Sequence, residues 1–514
     1  MNGRLKTIAL FAALLGFFVL TAPVNHSEAE DAYYYARMTE QGMSSEMFHA
    51  HHLLYLPLTR IVFHAVQLTG YAGRAFPVLT GISMISGALA VCLFTALLRR
   101  TGMKNRVVWP FSAALLFSYG FWRYSTTVEI YAPATALSLL TLYCAVRSNE
   151  RLFFWGSMLS GSFALLLHLV TIPAVMLAVP FLYMLRRQNI RAAVYVAVVL
   201  LITGAGYGLV IGCGLRLGVF TDTLVQRGTL MNPLTWISAL VAWGQTVCSG
   251  NFLFSIPAVS ERIVQLLPFH MLQEELFMGQ QAARWISVVA PVTFGLAVGL
   301  VAGIFCVVVR HCKRIQINQS ATFAAVLLWV VGSAAMALCF EPANPETWIC
   351  VLPPFWLLAG LVWNAVPDGR LSRWMPAALA TVLLLHNWIG GVSLVKNPAG
   401  DYCRQKGSWV VEQARPGDLI LTADSHSFVT FLEYQTRVRV ADAKFINMER
   451  WNELKRQTAG RIFVFADVME LLPPVARRVP DAVQQIHEVS AQLQSGLRPV
   501  HRDPFGTVYQ WEKL

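Results

Sequence analysis

Apolar runs close to the length of a bilayer crossing recur along the first four-fifths of this 514-residue chain. A helix needs about 20 apolar residues to cross ~30 Å of hydrocarbon, and in lipid only helices or closed barrels satisfy their own backbone. Continuous runs rather than alternation predict helices. Eleven spans are counted, at about 7–22, 77–98, 107–121, 129–147, 152–167, 169–185, 192–214, 285–309, 321–340, 349–365 and 374–394. With 56% hydrophobic and 13% charged residues, the chain does not have the composition of a soluble globular protein.

Charge tests this count. If the N-terminus is cytoplasmic, every second loop should be basic. Those loops carry Arg99, Arg100, Lys104 and Arg106, then Arg147 and Arg151, then Arg186, Arg187 and Arg191. Arg310, Lys313 and Arg314 follow, and last Arg370 and Arg373. All five loops obey, and an odd number of spans then puts the C-terminal segment outside. The first run opens with Arg4 and Lys6, as a signal peptide does, but Thr21–Ala22–Pro23 is a weak cleavage site. It reads as a retained anchor.

Much of the net charge of +12 is this positive-inside bias, so it points to a lipid bilayer and to no nucleic acid. On the outer face Arg37, Arg60, Arg74, Arg123, Arg227 and Arg262 suit an anionic substrate as a set, although each alone could snorkel. Nine cysteines is an odd count without zinc spacing. Cys92, Cys144 and Cys306 read as small core residues, while Cys213 with Cys248, and Cys339 with Cys350, could pair.

Three regions lie on the outer face. The first, about 23–76, holds an amphipathic helix ending near Gln67 and beginning at Ala50 or only at Pro57. Leu54, Leu58, Ile61, Val62 and Ala65 share one side, which suits a position along the interface. The second, about 215–284, is too broken for a span and predicts short interfacial helices or a lid. The third, about 396–514, has soluble composition. Strand-like runs at Asp418–Thr422, Arg437–Ala441, Arg461–Ala466 and Thr507–Trp511 alternate with helical patterns at Gly407–Ala414, Ile446–Gln457 and Pro480–Ala491. Alternation predicts a small α/β domain with a mostly parallel sheet. Asp424–Ser425–His426 follows a strand, but polar turns there are common and no Gly-rich phosphate loop accompanies it. The expected fold is mainly α: a polytopic helical membrane domain, 1–395, with an extramembrane α/β domain, 396–514.

Carboxylates are scarce, 28 acidic against 40 basic residues, yet Glu28, Glu30 and Asp31 cluster where the first span leaves the membrane. The same loop carries His49, His51, His52, Tyr55 and Arg60. The turn between the third and fourth spans runs from Phe121–Trp122–Arg123 to Glu129 and Tyr131, and His168 lies at the outer end of the fifth. Ionisable residues at membrane depth are costly and ask for an explanation. Sugar transfer from a lipid phosphate needs these parts. A carboxylate takes the proton of the attacking hydroxyl, cations or helix N-termini receive the departing phosphate, and aromatics cover the sugar. Each part also has a bland reading, as a solvated loop or a packing residue. His51 with a carboxylate could bind a metal, although histidines spaced i, i+2 and i, i+3 more often meet phosphate, substrate or solvent.

These residues resemble the GT-C superfamily of polytopic glycosyltransferases over about residues 5–185. Phe121–Trp122 followed by Val128–Glu129–Ile130–Tyr131 is similar to the tryptophan and Glu-Val-Tyr signature of the branch holding the transmembrane protein O-mannosyltransferases and bacterial relatives. His52–Leu53–Leu54–Tyr55–Leu56–Pro57–Leu58 keeps the histidine and Pro-Leu of that branch's His-Pro-Pro-Gly-Tyr-Pro-Leu motif and lacks the Pro-Pro-Gly. His168–Leu169 with Thr171 resembles its His-Leu-Thr. The resemblance implies a polyprenyl-phosphate-linked sugar as donor, a glycan, lipid or protein acceptor of the cell envelope, and a first-loop carboxylate as base. Asp31 is the leading candidate and Glu30 the second. It implies substrate-binding roles for His51, His52, Tyr55, Arg60, Trp122, Arg123, Glu129, Tyr131 and His168, and a late substrate-facing turn at Glu341–Trp348. A divalent cation is needed by the oligosaccharyltransferase branch and not by most members, so no cofactor is assigned. A transporter or flippase of lipid-linked sugar would place charges near the midplane, where these spans hold few. An inactive scaffold of the same fold is the remaining alternative.

Overall fold

The computed structural model describes residues 3–27, 29, 31–42, 45–213, 232–266, 273–311, 317–480 and 482–512. Two compact units form. The first gathers Met1–Pro23, Met38–Phe252 and Trp285–Ser393, and the second Val24–Arg37, Leu253–Arg284 and Leu394–Leu514.

The first is a helical membrane unit, and helix occupies each of the eleven apolar runs. Six helices are long and apolar enough to cross a membrane: Ala75–Arg100, Asn189–Gly212, Ile286–His311, Gln319–Phe340, Pro345–Asn364 and Ser372–Val395. Four shorter apolar helices cover Leu5–Thr21, Tyr131–Val146, Arg151–Leu167 and Leu169–Leu185. The run expected at 107–121 is cut. Asn105–Phe117 ends at Ser118, whose ψ of 128° is extended, and Tyr119–Tyr124 begins a new helix.

Close packing of the membrane unit uses small residues, as helices in lipid require. Gly161 is one such place, where an added Cβ would lie 2.6 Å from the Tyr195 hydroxyl. Broken helix ends leave carbonyls that no water reaches, and side chains supply the partners. The Asn387 amide donates to the Phe117 carbonyl at 2.6 Å and the Val247 carbonyl at 2.8 Å, while its oxygen accepts from the Ser249 amide at 2.8 Å. Ser249 in turn donates to the Gly390 carbonyl, inside a π-helical turn at Trp388–Val392. Near the first loop, Glu40 accepts from the Ala75 amide at 2.8 Å and pairs with Arg74, placing negative charge at the N-terminus of Ala75–Arg100.

The expected amphipathic helix spans Tyr55–Gln67. It buries Tyr55, Leu56, Thr59 and Phe63, while the apolar stripe Leu58, Ile61 and Val62 stays exposed, as a lipid-facing surface would. In the region expected at 215–284, helices occur at Pro233–Val247, Pro257–Leu266 and Gln273–Gln280, and residues 214–231, Arg227 among them, lie outside the described ones. Cys213, Cys248, Cys339 and Cys350 are free thiols, which corrects both expected disulfides. In each proposed pair one cysteine is exposed and the other buried, so bracketing a turn in sequence does not bring the sulfurs together.

The second unit is built on a five-stranded sheet, β1 (Leu419–Thr422), β2 (Arg439–Asp442), β3 (Ile462–Phe465), β4 (Leu497–Asp503) and β5 (Gly506–Trp511), in the order β2-β1-β3-β5-β4. β1 and β3 are buried along their whole length, as parallel strands covered on both faces should be. The sheet is mixed rather than mostly parallel: β1 pairs in parallel with β2 and β3, and β5 pairs antiparallel with β3 and β4. β4 escapes sequence reading because it is an edge strand. Pro499 interrupts its ladder with a register shift, and Arg498, Arg502 and Asp503 give no apolar alternation.

At the carboxyl ends of β1 and β3 lies a buried ionic network. The Lys406 ammonium meets Asp424 and lies 2.6 Å from Asp467. Asp467 also accepts from the Ala423 amide at 2.7 Å and the Thr422 hydroxyl at 3.1 Å, and Asp424 accepts from the Tyr402 hydroxyl at 2.5 Å. Burial alone would lower the Lys406 pKa, but Asp424 and Asp467 outweigh it and hold the lysine well above its ordinary value.

Candidate active site

In the membrane unit the candidate site grows from two chain segments that pair by backbone. The Leu169 amide donates to the His51 carbonyl at 2.9 Å, and the Leu54 amide to the Leu166 carbonyl at 2.9 Å. The Tyr207 hydroxyl donates to the Ala50 carbonyl at 2.7 Å. These bonds draw His49, His51, His52 and His168 into one group. His49 stacks on His52 with ring centres 4.5 Å apart, and His52 on His168 at 6.0 Å. His168 begins a 3-10 turn and accepts from the Val170 amide through Nδ1 at 2.9 Å, fixing its ring.

Tyr131 joins the group, 5.6 Å from the His168 ring, and Tyr55 touches its other side, 6.4 Å from His52. A cavity of about 20 Å³ is lined by His51, Tyr131 and His168 together with Met336, Phe340 and Thr347. It is large enough for a water molecule. The turn expected to face substrate, Glu341–Trp348, thus contributes Thr347 to this cavity, and Glu346 acts electrostatically on Tyr131.

Burial, then the neighbouring His49, lowers His51 to about 4. Burial, then His51 and His49, lowers His168 to about 3, and burial followed by His168 pushes His52 well below the ordinary value. At neutral pH His51, His52 and His168 therefore offer neutral imidazoles, N–H donors or lone pairs rather than positive charge. Among the described residues no set of three His, Cys, Asp or Glu side chains is arranged to hold a metal ion.

Of the other expected residues, Glu129 acts electrostatically on Tyr131, as Glu346 does. The Trp122 indole N–H donates to the Thr21 hydroxyl at 2.8 Å, and the ring is fully buried against Phe17 and Trp388. Arg60 donates to the Thr39 carbonyl at 3.0 Å. Arg123 and Glu129 are both buried. The Glu129 carboxylate accepts from the Ile130 amide at 3.3 Å, and its carbonyl accepts from the Ser83 hydroxyl at 3.1 Å.

Asp31 belongs to the second unit, while Glu28 and Glu30 lie outside the described residues. Its carbonyl accepts the Tyr35 amide at 2.8 Å, opening the helix Ala32–Gln41, and its carboxylate accepts the Tyr35 hydroxyl at 3.1 Å. Its other oxygen lies 3.9 Å from His426 Nε2. Sequence reading missed this pair. The i, i+4 spacing of Asp31 and Tyr35 was a usable signal; the partnership with His426 had none. Asp424 and Ser425 do not form a catalytic group with His426. Asp424 is buried in the ionic network, and Ser425 accepts from the Phe428 amide as the N-cap of His426–Thr436.

No protein-family model and no curated protein matches the chain. Solved structures do. ArnT from Cupriavidus metallidurans bound to undecaprenyl phosphate superposes with a TM-score of 0.59 at 12% identity, covering 99% of this chain and 98% of that one. The apo state of the same protein gives 0.56 at 12% identity, with the same coverage. At such identity the likeness shows the fold alone.

Proposed function

We propose that this protein is an inverting membrane glycosyltransferase. It moves a sugar from a polyprenyl-phosphate-type lipid donor to an acceptor hydroxyl on the outer, periplasmic face of a bacterial inner membrane. The observation that carries the reading is the likeness, over nearly the whole of both chains, to a structure bound to undecaprenyl phosphate. Asp31 acts as general base. It takes the acceptor proton as the oxygen attacks the anomeric carbon, the bond to the lipid phosphate breaks on the opposite side, and configuration inverts. Glu30 is the alternate base. The side chain of Asp31 is 44% exposed, which leaves it open to an incoming hydroxyl.

His51, His52, Tyr55, Tyr131 and His168 supply hydrogen-bond donors to the donor's phosphate or sugar. Neutral imidazoles suit this role, because an arriving phosphate would itself favour their protonation and so strengthen as charge develops. Arg123 and Glu129, ionisable groups buried in a membrane unit, complete the substrate-facing set. Arg60 and Trp122 act through the loop and core they brace. The outer-face assignment is supported by the second unit. Residues 24–37, 253–284 and 394–514, which charge and parity put on one side, form one compact body. The acceptor is a protein, an envelope glycan or a lipid.

The test is transfer by purified protein, with a panel of radiolabelled polyprenyl-phosphate sugars and crude envelope acceptors. Turnover with one donor, abolished in Asp31→Asn or Glu30→Gln while undecaprenyl phosphate still binds, establishes the transferase and its base. Donor binding without turnover in any acceptor fraction would sink the reading in favour of a flippase or an inactive scaffold.

A further inference from the structure

Asp31 sits on a segment fastened along its length to the C-terminal α/β fold. The Val24 and Asn25 amides donate to the Val395 carbonyl at 3.1 and 2.9 Å, and the Asn25 side chain reaches the Gly400 carbonyl at 2.8 Å. The Ser27 hydroxyl donates to buried Asp401 at 3.2 Å. Beyond Asp31, Tyr33 and Arg37 share a face, one helical turn apart. Tyr33 meets Phe431 edge-on with ring centres 5.2 Å apart, and Arg37 pairs with Glu433 at 2.5 Å. Between these anchors His426 approaches one Asp31 oxygen and Tyr35 holds the other. His426 opens the helix His426–Thr436, whose start is fixed by its Ser425 cap directly after β1.

We propose that the α/β unit is the frame that holds the catalytic carboxylate, with His426 as its positioning residue. The proposal rests on Asp31 being the base in the reading above. An aspartate on a loop leaving the membrane would turn freely, and a misplacement of 1 Å can cost about 100-fold in rate. Anchors at residues 24–27, 33 and 37 remove that freedom from the backbone, and the two flanking groups remove it from the carboxylate.

Charge adds a second effect. Tyr35 bonds Asp31 directly, and the titratable groups close by meet its neighbours on the segment: Glu433 faces Arg37, while Tyr434 and His26 meet Tyr33. Asp401 and Arg404, at the start of Tyr402–Gln413, also act on Tyr33. Arg37 is matched by Glu433 and Arg404 by Asp401, and 3.9 Å from Asp31 lies the Nε2 of His426. Protonated, it favours the carboxylate form that a base needs.

Two measurements on the full chain in nanodiscs test this. In the first, the His426 imidazole is observed by carbon NMR, its signal assigned from its loss in His426→Gln. Asp31→Asn should shift that signal, because it removes the carboxylate that lies 3.9 Å from His426 Nε2. An unmoved signal overturns the proposal whatever the activity. In the second, transfer is followed with the polyprenyl-phosphate sugar that the wild type turns over. His426→Gln should cut kcat about 10-fold with little change in donor KM. The acid limb of kcat/KM should also move up by a few tenths of a pH unit. Arg37→Glu should lower kcat likewise, and adding Glu433→Arg should restore it. Full kcat in His426→Gln, or a loss that follows thermal stability with the acid limb unmoved, leaves His426 a structural residue and overturns the proposal. If Asp31→Asn keeps full turnover while the His426 signal moves as expected, the base assignment has failed and the positioning role falls with it. An unmoved signal with Asp31→Asn inactive defeats the positioning role alone.

Discussion

The two units bury polar groups by opposite means. The membrane unit satisfies its broken helices with uncharged side chains: Asn387 bonds two carbonyls and an amide, and Ser118 accepts the Trp356 indole at 2.9 Å. The α/β unit buries full charges and matches them, with Lys406 between Asp424 and Asp467. Amides and hydroxyls cost little to move out of water once bonded, whereas charges require compensation from every side. The second arrangement was open to the α/β unit because strand ends and helix N-termini converge there and offer backbone amides to the carboxylates. The membrane unit departs from its own rule at Arg123 and Glu129, where ionisable side chains are buried beside the expected chemistry.

This contrast can be broken by substitution. The largest effect is expected for Lys406→Met, which strands two buried carboxylates and should destabilise the α/β unit by about 3–5 kcal/mol. Hydrogen exchange should rise across β1 and β3 while the long membrane helices keep their protection. Spreading of the loss to those helices would show that the units do not unfold separately. Asn387→Leu is the matching cut in the membrane unit. It leaves buried backbone groups unpaired at about 1–3 kcal/mol each, and the loss should appear in thermal unfolding in detergent and in exchange around residues 117 and 247–249.

Titration sharpens the comparison, because the units should fail at opposite ends of the pH scale. Burial, then Glu275 and Asp424, raises the Glu274 pKa well above the ordinary carboxylate value. The folded state thus binds a proton that the unfolded state releases, so stability falls as pH rises from about 4.5 toward the folded pKa. A tenfold change in a group's proton affinity on folding corresponds to about 1.4 kcal/mol of stability. Glu274→Gln should therefore stabilise the α/β unit at neutral pH, more at pH 8 than at pH 5, as read by the melting temperature. His51 and His168 have lowered values, about 4 and 3. There the unfolded state binds the extra protons, and stability present above about 6.5 is lost as pH falls toward 4. The smallest expected effect is a local rise in exchange at residues 49–54 and 166–171 between pH 7 and 4. It should be weaker in the presence of undecaprenyl phosphate if that anion meets the imidazoles.

Helix was legible in all eleven apolar runs because lipid admits only self-satisfied backbone. A run must then be continuous and apolar, and the pattern survives whatever packs against it. β1 and β3 were legible for a related reason, as short apolar runs buried on both faces. β4 was not, since an edge strand answers to its partner β5 rather than to any pattern of its own. In the site, the histidine loop and the Tyr131 region were legible as polar residues where polarity is expensive, and the structure joins them at one cavity. Trp122 and Arg60 were legible only as types. That one fills the core and the other grips the Thr39 carbonyl depends on neighbours far away in sequence.

By itself, then, the sequence determined the membrane-spanning class, the number of apolar runs and the crowding of carboxylates beside the first of them. These follow from hydropathy and charge counted along the chain. Tertiary structure alone decided that residues 24–37 fold with the C-terminal unit, that Asp424 is locked beneath Lys406, and that His426 faces Asp31. The first and last of these join positions nearly 400 residues apart. No local propensity encodes them, because the contacts exist only after β1 has set its following turn and the first loop has settled on the helix that turn begins.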